Sequence, residues 1–312
     1  MTKMTFILLL LTLTTTALAR QKVIYGTDNR LDVYQVQNAL HKKLTLSTAG
    51  MIHNSAFVEG NEKNLKDIYY PQTLQQVMNV CSHEKFSQQK LAPSCSGFLV
   101  GEDTLITAGH CYEGFDNPYN VCRDYKWVFG YEMKSSIHNP TLDIKNSDIY
   151  GCKEIINVKL NEQFDYAIIR LDRKVTDRPI LKFRESGKIP DNTSLIVIGH
   201  PSGLPTKVAT GAFVTNNNEP TRFSASLDTF QGNSGSAVFN AKTGVVEGIL
   251  VMGKTDYVPS DASNPNSCLV ANKCDQFAKN CSQPYDGSVV EKGEVVIRTT
   301  AIKTQLQKAL RK

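Results

Sequence analysis

The 312-residue sequence has no block of basic residues, although its formal net charge is +5. Its 35 lysines and arginines are interspersed with 30 aspartates and glutamates, so no stretch forms the electrostatic footprint that nucleic acids require. Internal repeats and long low-complexity runs are lacking too, and 41% of the residues are hydrophobic. A chain of this length and composition can bury a core, which excludes an intrinsically disordered protein and gives no reason to expect a nucleic-acid partner.

Beyond the N-terminus, the sequence has no apolar segment that approaches the roughly 20 residues needed to cross a bilayer. The first residues carry one lysine, Lys3, followed by a short apolar run over residues 6–13 and a small-x-small sequence that ends at Ala19. This order is typical of a cleaved secretory signal peptide, and the run is too short for a membrane anchor. We therefore predict a signal peptide over residues 1–19 and a mature protein that is secreted or periplasmic, with no membrane association.

The sequence also lacks two matched Cys-x-x-Cys pairs, so its eight cysteines do not have the spacing of a zinc site. All eight lie beyond the predicted signal peptide, and disulfides persist in exported proteins. Their even number allows four bridges. Cys122 and Cys152 each precede a predicted strand, which favours a cross-strand bridge between them. We expect a disulfide-stabilised protein without a bound metal.

Helical periodicity is scarce from about Cys95 onward, where short apolar runs alternate with turn residues. This pattern of short apolar runs predicts an all-β barrel or sandwich. The C-terminus is the exception, because apolar residues recur there at helical spacing and predict an amphipathic helix over about residues 300–311. Residues 20–80 are polar and mixed, with a predicted strand near residues 22–25 and a helical stretch near 74–80. Residues 255–292 form a long polar insertion with little strand character.

Three motifs together offer the parts of a hydrolase that uses a serine nucleophile. Ser234 lies in a Gly-Asn-Ser-Gly run between two apolar strands, His110 follows a strand, and Asp165 precedes another. A serine nucleophile needs an imidazole that takes its proton, a carboxylate that orients the imidazole, and backbone N–H donors for the oxyanion. Each motif alone has an ordinary explanation: a Gly-x-Ser-Gly run is commonly a turn, a lone histidine is more often a surface or packed residue, and an aspartate before a strand usually caps a turn. All three in one chain nevertheless predict a catalytic triad. The oxyanion donors would be the N–H groups of Gly232 and Ser234.

The run over residues 94–100, with Thr-Ala-Gly-His-Cys at 107–111, resembles the histidine region of chymotrypsin-like serine proteases. Asp165 and the Ser234 motif match the family's aspartate and serine motifs, in the family's order. The resemblance covers roughly residues 90–300. It implies two packed six-stranded antiparallel β-barrels with a C-terminal helix, the triad in the cleft between them, and a Cys95–Cys111 bridge. Four cysteines are then left with three possible connectivities: Cys81, Cys268, Cys274 and Cys281.

The same resemblance suggests a substrate preference. Asp228 lies six residues before Ser234, where trypsin-like members have the acid at the base of the specificity pocket. Gly253 ends a strand that resembles the pocket wall, where a glycine leaves room for a long side chain, and Thr229 is assigned to substrate binding with them. A buried carboxylate at the end of an open slot favours a cationic side chain. We therefore predict cleavage after Arg or Lys.

Secreted bacterial glutamyl endopeptidases are the main alternative within the family. The stretch over residues 23–30 and the Gly-Asn-Ser-Gly-Ser motif are more similar to them than to digestive trypsins. Those enzymes hold the substrate carboxylate with a histidine on the strand after the serine, and Leu250 takes that place here. The resemblance thus favours an exported bacterial enzyme and weakens glutamate specificity. A protease-fold binding protein without activity is the alternative from another class, and an intact triad speaks against it.

Two positions depart from the family pattern. Asn233 replaces the aspartate that, in trypsin, forms a buried ion pair with the new N-terminus after zymogen cleavage, so that switch is not expected here in its usual form. Val251 stands where many relatives have a serine that bonds to the catalytic aspartate, so Asp165 must have other donors. A short pro-segment over residues 20–22 would be removed by a cut after Lys22, which would release Val23.

These interpretations predict three parts: a signal peptide over residues 1–19, an N-terminal segment over 20–80, and a trypsin-like serine protease domain over 81–312. The first barrel would span about residues 81–185, the second about 186–300, and the helix about 300–311. The predicted function is that of a secreted, monomeric serine endopeptidase, which hydrolyses proteins or peptides through an acyl-enzyme. This chemistry requires no cofactor.

Overall fold

The structure is a computed structural model that describes residues 23–113, 117–253, 255–277 and 293–311. The predicted signal peptide, the predicted pro-segment and Cys281 lie outside the described residues. The fold is built mainly from strands. In chain order these are β1 (Ile24–Tyr25), β2 (Arg30–Asp32), β3 (Thr48–His53), β4 (Phe57–Glu59), β5 (Leu65–Ile68), β6 (Cys95–Leu99), β7 (Thr104–Thr107), β8 (Tyr125–Phe129), β9 (Ile144–Lys145), β10 (Ile149–Leu160), β11 (Asp165–Leu171), β12 (Ser194–Gly199), β13 (Lys207–Asn216), β14 (Arg222–Ala225), β15 (Ala237–Asn240), β16 (Val246–Met252), β17 (Tyr257–Pro259), β18 (Leu269–Ala271), β19 (Lys273–Cys274) and β20 (Glu294–Arg298).

The α-helices are short. They are α1 (Ala39–Thr45), α2 (Leu74–Met78), α3 (His110–Glu113), α4 (Pro118–Asp124) and α5 (Lys303–Leu310). Among the described residues, no helix has the length and apolar character needed to cross a membrane. The C-terminal helix α5 follows a 3-10 turn at Thr299–Ile302 and buries Leu306 and Ala309, as its periodicity predicts.

Six strands close the first barrel in the order β10-β11-β7-β6-β3-β8. All neighbouring pairs are antiparallel. Every residue of β7 and β11 is buried, because one face of each strand fills the barrel and the other is covered by the rest of the molecule. This double burial explains why neither strand shows a strict alternation of apolar and polar residues.

Six further strands close the second barrel in the order β12-β15-β16-β20-β14-β13, with β13 pairing back to β12. These pairs are antiparallel as well. Strand β2 extends the sheet by pairing with β13. The predicted fold of two six-stranded antiparallel barrels with a C-terminal helix is therefore confirmed.

The first barrel begins earlier in the chain than the boundary predicted at residue 81. Strand β3, at Thr48–His53, pairs with both β6 and β8 and completes the cylinder. Its sequence, Thr-Ala-Gly-Met-Ile-His, has few of the residue types that mark a strand, and it is buried through tertiary pairing. Strand β2, from the same N-terminal segment, belongs to the second barrel.

Three disulfides lie within the described residues. Cys95–Cys111 joins β6 to α3, and Cys122–Cys152 joins α4 to β10. Cys81–Cys268 connects the residues after α2 to the loop before β18, which selects one of the pairings that the sequence left open. Cys274 is not a free thiol.

Candidate active site

His110 and Asp165 meet where two paired strands of the first barrel come together. His110 is the first residue of α3, which follows β7 after two residues. Asp165 is the first residue of β11, which pairs antiparallel with β7. The imidazole Nδ1 of His110 lies 2.8 Å from Oδ2 of Asp165. The carboxylate is buried and the imidazole is partly exposed. An ionised carboxylate only accepts, so this contact holds a proton on Nδ1 and leaves Nε2 to take a proton from another group.

His110 also provides a second hydrogen-bond donor to Asp165. The backbone N–H of His110 donates to its Oδ1 at 2.9 Å. This contact answers the question raised by Val251, which has no hydroxyl to offer the carboxylate. Residue types could not reveal it, since every residue except proline carries a backbone N–H.

Ser234 lies in a tight loop before β15 that requires two glycines. Gly232 has φ +90° and Gly235 has φ +87°, values that L side chains rarely adopt. A Cβ on Gly232 would lie 2.5 Å from the carbonyl oxygen of His200, and one on Gly235 would lie 2.2 Å from that of Ser96. Both glycines therefore provide left-handed backbone and space for close packing, which fixes the path of the chain on either side of Ser234.

Contacts from the first barrel anchor the Ser234 loop. The backbone N–H of Ser96, on β6, donates to the carbonyl oxygen of Ser234 at 2.8 Å, and the Ser96 hydroxyl donates to that of Gly232 at 2.8 Å. The Sγ of Cys111, the residue after His110, lies 3.9 Å from the same Ser234 oxygen. The structure thus brings the predicted serine and histidine segments together between the two barrels.

The ligand atoms of Cys95, His110 and Cys111 lie within 4.8 Å of one another, a spacing that could suggest a metal site. Both sulfur atoms belong to the Cys95–Cys111 disulfide. A disulfide sulfur is not a thiolate, and the thiolate is the form that ligates metals. The cluster therefore stabilises the position of His110 and is not a metal centre.

Asp228 is buried against the N-terminal segment. Its Oδ1 accepts a hydrogen bond from the backbone N–H of Tyr25 at 2.7 Å, and its Oδ2 accepts one from that of Asn29 at 2.9 Å. Only 3% of the residue is exposed. Burial raises the pKa of Asp228 to about 6, although the two backbone hydrogen bonds act in the opposite direction. Both oxygens predicted to face a substrate cation thus already bind the protein's own backbone.

A second acid, Glu294, occupies the space beside Gly253. The hydroxyl of Thr229 donates to its Oε2 at 2.6 Å, and the hydroxyl of Tyr25 donates to its Oε1 at 3.0 Å. A Cβ on Gly253 would lie 1.9 Å from the same Oε2. The space predicted to be open next to Gly253 is therefore occupied by the Glu294 carboxylate. Glu294 was not predicted from the sequence, although an acid at the start of an apolar strand is the same signal that singled out Asp165.

Comparison with known proteins identifies a peptidase family and a protein of similar fold. Residues 95–249 match the family model for a trypsin-like peptidase domain. The fold is similar to that of the human heparin-binding protein, at 10% identity and a TM-score of 0.51, covering 93% of this chain and 97% of that one. A Glu endopeptidase matches at 15% identity and a TM-score of 0.49, covering 93% of this chain and all of that one. The VesB protease of Vibrio cholerae matches at 12% identity and a TM-score of 0.49, covering 92% and 67%.

Proposed function

The chain belongs to the trypsin-like peptidases, and from that premise we propose that it is a secreted serine endopeptidase. The contact of His110 Nδ1 with the Asp165 carboxylate at 2.8 Å is the observation that carries the proposal. With the Nδ1 proton held by Asp165, the imidazole Nε2 acts as the base of a triad whose nucleophile is Ser234. The predicted signal peptide and the disulfides support export, because disulfides persist in oxidising compartments.

The reaction proceeds in two halves. The Ser234 hydroxyl oxygen attacks the scissile carbonyl carbon while His110 Nε2 takes the hydroxyl proton, and Asp165 stabilises the imidazolium that forms. The backbone N–H groups of Gly232 and Ser234 donate to the oxyanion. His110 then gives its proton to the leaving amine. Water attacks the acyl-enzyme by the same steps in reverse and releases the new carboxyl group.

Substrates carry Arg or Lys before the scissile bond. Asp228 and Glu294 provide two buried carboxyl groups beside Thr229 and Gly253, and this negative environment favours a cationic side chain over an anionic one. A substrate glutamate would meet like charge here, and Leu250 offers it no donor. Asp228 contributes through its field, since its oxygens already accept backbone N–H groups.

Two measurements test this function. Labelling of the purified protein with a fluorophosphonate, followed by peptide mapping, should modify Ser234, and the Ser234→Ala variant should not label or hydrolyse peptides. A library varied only at the residue before the scissile bond should then show the highest kcat/KM for Arg and Lys. Absence of labelling would contradict the enzymatic proposal, whereas labelling with faster cleavage after Glu or Leu would contradict the specificity alone.

A further inference from the structure

The peptide group between Gln231 and Gly232 carries the N–H that we assign to the oxyanion hole, and both sides of Gln231 are held. Its carbonyl oxygen accepts a hydrogen bond from the backbone N–H of Ser202. Its own N–H donates to Oδ2 of Asp256 at 2.9 Å. In a trans peptide the carbonyl oxygen and the following N–H point in opposite directions. With the oxygen held toward Ser202, the Gly232 N–H points away from that residue.

The two groups that hold Gln231 are joined to each other. The hydroxyl oxygens of Ser202 and Tyr257 lie 3.0 Å apart, and Tyr257 directly follows Asp256. The Tyr257 ring packs 4.9 Å from the ring of Phe230, the residue before Gln231. Burial raises the pKa of Tyr257 to about 12, so the phenol keeps its proton. A closed ring of four residues thus surrounds this peptide group. Three hydrogen bonds and the peptide bond between Asp256 and Tyr257 link its members, which are Gln231, Ser202, Tyr257 and Asp256.

The turn that contains Ser202 is strained and is held from outside. Ser202 has φ +54° in the turn Pro201–Gly203, a left-handed conformation that is unfavourable for a serine. The backbone N–H of Ala92 donates to the carbonyl oxygen of Gly203 at 3.0 Å. Leu204, the next residue, is fully buried in an apolar cluster with Leu74 and its neighbours. The segment over residues 74–92 therefore supports the turn.

The same segment supports the hairpin of β17 and β18, which carries Tyr257. The backbone N–H of Cys81 donates to the carbonyl oxygen of Leu269 at 2.8 Å, and the N–H of Leu269 donates to that of Asn79 at 2.9 Å. The Cys81–Cys268 disulfide adds a covalent link at this point. The 201–203 turn and the hairpin are thus both anchored to the segment over residues 74–92. Ser202 of the turn and Asp256, at the start of the hairpin, both form hydrogen bonds with Gln231.

We infer that the hairpin and the 201–203 turn form a brace that holds the Gln231–Gly232 peptide with its N–H toward the oxyanion, and that Asp256 and Tyr257 are positioning residues for the proposed hydrolysis. This inference rests on the proposed function. Rotation of the peptide by about 180° would exchange its two polar groups and present a carbonyl oxygen to the developing negative charge. Asn233 carries no charge and cannot hold this loop through an ion pair with an N-terminus, so the brace supplies the missing restraint.

The variants Asp256→Ala and Tyr257→Phe test the brace, because each removes one of its hydrogen bonds and Tyr257→Phe keeps the ring. We expect kcat on a fluorogenic peptide to fall about tenfold or more, with KM changed less than about twofold, since the lost interaction acts on the transition state. A peptide boronic acid, which forms a tetrahedral adduct, should lose affinity by a similar factor, whereas the product acid of the same peptide should bind as before.

Two further variants separate positioning from general loosening. Asp256→Asn keeps an oxygen acceptor for the Gln231 N–H and should restore most of the activity. Ser260→Ala removes a hydroxyl from the same hairpin without touching Gln231 and should behave as wild type. If Asp256→Ala and Tyr257→Phe match Ser260→Ala in kcat and boronic acid affinity, the positioning role of the brace is contradicted, whereas the proposed peptidase activity still stands. If the wild-type protein neither reacts with the fluorophosphonate nor hydrolyses peptides, both the proposed function and this inference are contradicted.

Discussion

At the scale of single residues, Asp165 is joined to His110 through both of its carboxylate oxygens, one at the imidazole and one at the backbone N–H. The first contact selects the tautomer of the imidazole, and the second fixes where the histidine backbone lies. A carboxylate is needed for both tasks at once, because an amide side chain has only one acceptor oxygen.

Asp165→Asn should therefore lower kcat by about 10⁴-fold, the size of effect seen when a triad aspartate becomes an amide. The amide NH₂ can donate to Nδ1 and would favour the tautomer in which Nε2 carries the proton and cannot act as a base. Steady-state kinetics on a fluorogenic peptide measure the change, and circular dichroism serves as the control for folding. A loss below about tenfold would show that Asp165 does not orient the base.

Asp228 should make stability depend on pH in a direction opposite to that of most carboxylates. Its pKa is raised to about 6 in the folded protein, so between about pH 4 and pH 6 the folded state binds more protons at this site than the unfolded state. The free energy of unfolding contributed by Asp228 therefore falls as pH rises through this window, by up to about 3 kcal/mol.

Urea unfolding of the protein and of Asp228→Asn, both carrying Ser234→Ala to prevent autolysis, measures this contribution. The difference in free energy of unfolding between the two proteins should move in favour of Asp228→Asn as pH rises from about 4 to 7. A difference that stays constant across this range would show that the Asp228 pKa is not raised.

At the scale of elements, a helix, strand or motif can be predicted from the sequence when the residues that determine it are close together in the chain. His110, Asp165 and Ser234 could be proposed as a triad from the sequence because short glycine and strand motifs surround them. Strand β3 could not be delimited, since its burial comes from pairing with β6 and β8, which lie far along the chain. The same holds for the contacts of Asp228 with Tyr25 and Asn29, which span about 200 residues of sequence.

The Cys81–Cys268 disulfide should contribute more to stability than Cys122–Cys152. The two bridges close loops with sequence separations of 187 and 30 residues, and a longer loop loses more entropy in the unfolded chain when it is closed. We expect Cys81→Ser/Cys268→Ser to lose about 3–5 kcal/mol of unfolding free energy. Chemical denaturation of both double variants, again with Ser234→Ala, makes the comparison. An equal or larger loss in Cys122→Ser/Cys152→Ser would contradict this ranking.

At the scale of the whole molecule, the N-terminal segment connects parts that the sequence suggested were separate. Val23 is fully buried, and its carbonyl oxygen accepts from the Thr229 N–H at 3.2 Å. Strand β1 pairs with β19, and β2 joins the second barrel, while β3 belongs to the first. The segment could be assigned no fold from its mixed composition, because its order depends on the barrels with which it pairs.

We expect the active secreted protein to begin at Val23. A cut after Lys22 would match the proposed preference for Arg or Lys, and the buried docking of Val23 and β1 would protect the new end from further trimming. N-terminal sequencing of protein purified from culture medium tests this, with Ser234→Ala as the control for self-processing. A wild-type protein that begins at Arg20 would contradict it.

The long-range disulfide also sets an order of events during biosynthesis. A chain that emerges N-terminus first presents Cys81, then Cys95 and Cys111, well before Cys268. The first thiols within reach of Cys81 are therefore the wrong ones, and a mispaired Cys81–Cys95 bridge would leave Cys111, the residue after His110, without its partner. Recombinant production should thus depend on a thiol–disulfide isomerase more than on an oxidant, because correct pairing requires exchange after the last third of the chain has appeared.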